Sequence, residues 1–162
     1  MAFYLQIPSI KGSVTDSKHK GWIKVDSLDL CNERSIHVEP GSGANREYST
    51  PRISDLILAK ELDASSPYLF QKSLTGSTLG KIVIQACNIS NNKQVYLEYT
   101  LHDALISHYH ISGVSPDDHD SCKEMVHLNF TKVQMKYIPQ GANGKSSSPL
   151  ISGYDIGEAQ KM

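Results

Sequence analysis

The chain has 162 residues, 39% of them hydrophobic, and a domain of this size buries about 70% of its unfolded-chain surface, so one core suffices and no second domain is required. With 16 basic and 17 acidic residues the formal net charge is −1, which supplies no global field to draw nucleic acid or an anionic membrane to the surface. Cys31, Cys87 and Cys122 are odd in number, far apart and in no CxxC pair, which argues against a disulfide framework or zinc knuckle and fits a reducing folding compartment.

Apolar residues recur mostly at every second position, the period of strands that show one face to a core. A first strand is predicted over Phe3–Ile10, followed by a tight bend at Lys11–Ser13 and a polar turn over Thr15–Gly21. Trp22–Asp29 then alternates, with Ile23 and Val25 inward, and completes a hairpin-like pair. After Cys31–Val38 comes a long extended loop, about 39–52, in which Gly41, Ser42, Gly43, Asn45 and Pro51 remove any regular pattern. Loops of that length are uncommon without a role. Glu39, Arg46, Glu47 and Arg52 give this one charges for polar pairing with a neighbour. As a bland alternative it is a solvated surface loop.

A strand resumes over Arg52–Glu61, and the only convincing helix follows at about 66–75. The serine before Pro67 supplies an N-cap, Pro67 suits the first turn and Gly76 suits the stop. Leu69, Phe70, Ser73 and Leu74 are expected on its buried face. Three longer strands, Lys81–Cys87, Gln94–Ile111 (after an Asn91–Asn92 turn) and Glu124–Tyr137, form an antiparallel meander.

In that meander Val95, Leu97, Tyr99 and Leu101, and again Val126, Leu128 and Phe130, lie two apart, while Glu98, Thr100, His102, His127 and Asn129 take the other face. The apolar parity slips by one between Phe130 and Val133, which predicts a β-bulge near Thr131 or Lys132. Pro139–Pro149 is a Gly/Ser-rich linker, and Ile151 with Tyr154–Ile156 an edge strand. Residues 1–157 are therefore taken as a single domain and 158–162 as a loose tail.

The best enzyme-like feature is His108-Tyr109-His110, since residues two apart on a strand could offer two imidazoles to one zinc ion. His102 shares their parity but lies roughly 20 Å along the strand at about 3.3 Å per residue, so a third ligand must come from elsewhere. Asp117, Asp118, His119 and Asp120 could fold over to supply one, although such a run after Ser115–Pro116 is more often a solvated turn. There is no Gly-x-Ser-x-Gly elbow, no GxGxxG opening a helix and no P-loop. A non-enzymatic protein without a cofactor is the reading, with a small metal-binding or hydrolytic β-barrel as the alternative.

Several segments, in order, resemble the haemolysin-coregulated protein (Hcp) family of bacterial type VI secretion systems. They are Ile10-Lys11-Gly12-Ser13-Val14-Thr15-Asp16, His19-Lys20-Gly21-Trp22-Ile23-Lys24-Val25, Leu58-Ala59-Lys60-Glu61-Leu62-Asp63 running into Ser66-Pro67-Tyr68-Leu69-Phe70, Tyr96 to Ser107, Glu124 to Tyr137 and Gly153-Tyr154-Asp155-Ile156. The resemblance spans about Phe3 to Ile156, with departures in Cys31–Arg52 and Ile111–Cys122.

It implies a mainly β fold, two antiparallel sheets packed as a β-barrel with one short helix alongside, assembled as a homo-hexameric ring. It further implies stacking of rings into the inner tube that a contractile sheath propels, with a spike protein and effectors as partners and no catalytic residues. Because MAFYLQIPSI lacks a basic n-region and a long apolar core, export is expected to bypass a signal peptide, with assembly in the bacterial cytoplasm and no membrane insertion. With the chain ending soon after Ile156, no fused toxin domain is expected.

Overall fold

The computed structural model describes residues 1–37, 47–88, 93–113, 122–140 and 147–162, with Glu47 and Tyr48 described by backbone alone. In chain order the elements are β1 (Ala2–Gln6), β2 (Ile23–Val25), β3 (Ser27–Asp29), β4 (Asn32–Glu33), β5 (Ile36–His37), β6 (Glu47–Tyr48), β7 (Arg52–Ile53), β8 (Leu56–Glu61), α1 (Ser66–Thr75), β9 (Gly80–Cys87), β10 (Val95–Ser112), β11 (Lys123–Asn129), β12 (Lys132–Tyr137), β13 (Leu150–Asp155) and β14 (Gln160–Lys161). The fold is mainly β and antiparallel with one short helix, as the alternation predicts. The Asn91–Asn92 turn lies outside the described residues.

Long β10 organises the molecule. Its first half lies between β9 and β12, with Leu101 opposite Ile82 on one side and Val133 on the other. Its second half pairs with β11, which pairs with β8, which pairs with β3. One wide layer therefore runs β2-β1-β9-β10-β12-β13-β14, and a narrower one runs β10-β11-β8-β3. The core lies between them: Leu5, Ile23, Val25, Ile82, Ile84 and Leu101 meet Leu56, Leu58, Ile106, Val126 and Leu128.

Several predicted strands are shorter or divided, each for a local reason. β1 stops at Gln6 because Pro8 turns the chain, with the Ile10 amide bonding to the Ile7 carbonyl at 3.1 Å. The segment 22–29 divides at Asp26, so that β2 pairs with β1 and β3 with β8. The parity slip after Phe130 is an interruption of the strand at Phe130–Thr131, matched on β10 by a bulge against β9 between Leu101 and Ala104. Asp103, at φ 52°, carries that bulge. Both strands change parity together, so Leu105 still meets Asn129 while Leu97 meets Tyr137.

The long loop has a regular base. β4 pairs with β7 and β5 with β6, making a narrow arm. Serines link it across: the Ser35 amide bonds to Ser49 Oγ at 3.0 Å and the Cys31 amide to Ser54 Oγ at 3.0 Å. Residues 158–162, expected to be a loose tail, contain β14, which pairs with β13.

Helix α1 ends as predicted, with Gly76 at φ 62° and its amide bonded to the Lys72 carbonyl. Its start and its buried face differ from expectation. Ser65, at the N-cap, makes no side-chain cap bond because its hydroxyl goes to Asp63 Oδ1. Only Leu69 of the four predicted residues is fully buried, whereas Phe70 is 50% and Leu74 72% exposed. The helix rests on β10 by a narrow contact rather than a wide apolar stripe.

Candidate functional site

Alternation along β8 places Leu56, Leu58 and Lys60 in one inward row, and along β11 Leu128, Val126 and Glu124 in the row opposite. The last rung of an otherwise apolar face is therefore an ion pair, with Lys60 and Glu124 each 1% exposed. Charges so far from water persist only when paired and fully hydrogen-bonded. The Lys60 ammonium donates to Glu124 Oε2, to the Glu61 carbonyl at 2.7 Å and to Ser66 Oγ at 3.2 Å, and lies 3.0 Å from Asp63 Oδ1. Ser66 Oγ donates to Glu124 Oε2 at 2.8 Å, and the Tyr109 hydroxyl takes the other carboxylate oxygen.

Five residues from β8, the turn after it, α1, β10 and β11 are thereby locked at the helix start. Burial works to raise the Asp63 pKa, but the Ser65 hydroxyl and the Lys60 ammonium outweigh it and hold the carboxyl below its ordinary value. Burial, reinforced by Glu124, drives the Tyr109 phenol far above its usual range. This cluster was missed from sequence, although the parity of Lys60 with Leu58 and of Glu124 with Val126 could have signalled it.

A second polar cluster lies under the His19-Lys20-Gly21-Trp22 turn. His19 is 2% exposed, stacks on Tyr4 at a centroid distance of 4.2 Å and meets Trp22 edge-on at 4.9 Å. Its Nε2 is 3.0 Å from Gln85 Oε1 and 3.8 Å from Cys87 Sγ. This is a cysteine–histidine pair in distance only, since burial pushes the Cys87 thiol up and keeps it protonated. The turn passes so close to Gly12 that a Cβ there would lie 2.3 Å from the Trp22 carbonyl oxygen.

The two histidines singled out from sequence do share a face: the His108 and His110 rings lie 6.4 Å apart, nearly parallel. The residue that joins them is His127 of β11, opposite His108 and 4.7 Å from its ring. Among the described residues no group of three His, Cys, Asp or Glu side chains is arranged to hold a metal as it stands. Asp117, Asp118, His119 and Asp120 lie outside the described residues, as do Glu39 and Arg46. Glu47 falls in β6 opposite His37, and exposed Arg52 in β7 opposite Glu33, so both belong to the arm.

The wide layer overhangs the narrow one. On the face that carries Leu101 into the core, Val133, Met135 and Tyr137 follow along β12, with Leu150 beside Tyr137 on β13. Leu150 is 65% and Tyr137 45% exposed, because the narrow layer among the described residues does not extend over them. A groove of about 540 Å³, lined by Leu30, Arg34, Ile53, Tyr99 and Met135 among others, separates this overhang from the arm. Helix α1 leaves Phe70 and Leu74 exposed on one flank, with Tyr68 exposed on the other.

The described residues define an antiparallel β protein with one short helix and with exposed apolar side chains on β12, β13 and α1. Comparison with known proteins gives the family of that fold. Residues 4–137 match the family model described as type VI secretion system effector, Hcp. The chain is 30% identical over 155 residues to protein hcp1 of Pseudomonas aeruginosa, covering 94% of this chain and 93% of that one. Among solved structures, Hcp1 from Salmonella typhimurium superposes with a TM-score of 0.81 at 25% identity, covering 99% of this chain and 98% of that one. A type six secretion system protein superposes with a TM-score of 0.93 at 22% identity over 99% of both chains. The chain belongs to the Hcp family of type VI secretion system proteins.

Proposed function

We propose that this chain is a non-enzymatic structural subunit that closes into a homo-hexameric ring, and that such rings stack head to tail into the inner tube of a type VI secretion system. The observation that carries this reading is the overhanging β12–β13 face: Met135, Tyr137 and Leu150 continue the core face and stay partly exposed among the described residues. A ring closed by rotation needs two unlike surfaces on each subunit, and the α1 surface is the natural second one. Sheath, spike and effector proteins of the same system are the partners in this reading, which needs no cofactor, nucleic acid or membrane insertion. The subunit would assemble in the bacterial cytoplasm and be exported folded.

The barrel closes, in this reading, at Asp26. Two observations support closure: β2 pairs with β1 while β3 pairs with β8, and the Asp26 amide donates to the Ala59 carbonyl at 2.8 Å. Residues 1–157 form its single domain. The arm is assigned the contact between rings, with Glu39, Arg46, Glu47 and Arg52 as its charged groups; its serine-linked base supports a projecting role. Negative-stain imaging of the purified chain tests the proposal. Ring-shaped views with six-fold symmetry are expected, and a field of isolated compact particles would overturn it.

A further inference from the structure

The outer face of the narrow layer gathers four residues that neither the family nor the assembly reading uses. His108 is opposite His127 across β10 and β11, and one rung further on the same face His110 is opposite Met125. Directly opposed residues on adjacent strands have Cβ atoms about 5 Å apart, and residues two along share the face. The two pairs therefore form a square of three imidazoles and one thioether. His108 and His110 are exposed and Met125 is 41% exposed, so their side chains are free to change rotamer towards a common ligand.

A second, independent observation comes from His127. Its Nε2 is buried and has no hydrogen-bond partner among the described residues. A buried, unpaired ring nitrogen is costly, and the ring that carries it lies 4.7 Å, centroid to centroid, from a second imidazole.

We infer that this face binds one copper ion, with His108 and His127 as the first two ligands and His110 and Met125 closing on it. Imidazole nitrogen suits copper, nickel and zinc alike, but Cu²⁺ stands highest in affinity among these divalent ions, and a thioether suits the reduced Cu⁺ state. Lys123 is the nearest cation on that face, two rungs from His127, and in register it meets Glu61, which offsets its charge. The inference concerns binding only and is independent of the secretion reading.

The test is titration of the intact chain with Cu²⁺, and in parallel with Zn²⁺, followed by calorimetry and by electron paramagnetic resonance. One Cu²⁺ per chain with nitrogen hyperfine coupling is expected. His127→Gln and His108→Asn should each weaken it at least roughly tenfold, the scale on which even outer-shell partners of metal ligands matter, while His102→Asn leaves it unchanged. Met125→Leu should weaken binding of Cu⁺, titrated under a reductant, more than binding of Cu²⁺. Absence of stoichiometric binding, or binding equally strong in His108→Asn and His127→Gln, would overturn the assignment. Circular dichroism of each variant separates loss of ligand from loss of fold.

Discussion

Lys60 and Glu124 are paired across β8 and β11, each buried, with Asp63 beside the ammonium. Replacing one alone strands a buried charge, at a cost of about 3–5 kcal/mol, whereas replacing both with apolar groups of similar volume is often close to neutral. Lys60→Met is therefore expected to lower unfolding stability strongly in urea titration, and Lys60→Met with Glu124→Met to recover part of the loss, since Asp63 and Tyr109 still lose their partners. Asp63 beside them carries a depressed pKa, so its contribution is complete above its ordinary value of 3.8 and is lost as pH falls through the lower folded value. Thermal melts on the acid side should accordingly flatten with pH in Asp63→Asn relative to the native chain. Gly12 is fixed by space rather than by charge: a Cβ 2.3 Å from the Trp22 carbonyl oxygen must displace backbone. Gly12→Ala is expected to cost about 1–3 kcal/mol, the usual scale of overpacking, read as a lowered melting temperature.

At the scale of elements, the overhang and the helix are the surfaces whose exposure needs a partner. Leu150→Lys should leave the melting temperature of the isolated subunit nearly unchanged, because most of the side chain is exposed, while shifting the assembled species to lower mass on size exclusion. Much of the element order is legible in the sequence, because Ile23 and Val25, or Val126, Leu128 and Phe130, announce their faces by alternation. The helix was legible from Pro67 and Gly76, but its packing was not. A Leu69–Phe70–Leu74 pattern marks an apolar face without saying whether this chain or another covers it, and the structure leaves Phe70 and Leu74 open. The histidine face was half legible: His108 and His110 follow from a spacing of two, whereas His127 and Met125 depend on the register between β10 and β11, which no local pattern contains. The arm looked irregular because glycine and proline interrupt it, yet its base is a ladder held by serine hydroxyls.

For the whole molecule, a branched arrangement in which β10 serves both layers joins the two around one core. The same long strand carries the wide layer past the narrow one at β12 and β13, where the described residues leave an apolar face exposed. The proposed ring rests on that exposed face. The mass of the purified chain by light scattering coupled to size exclusion, taken across a concentration series, tests this most directly. A mass of six chains that persists on dilution is predicted. A single chain of 17.9 kDa at every concentration would contradict the account and reduce the family relationship to one of fold.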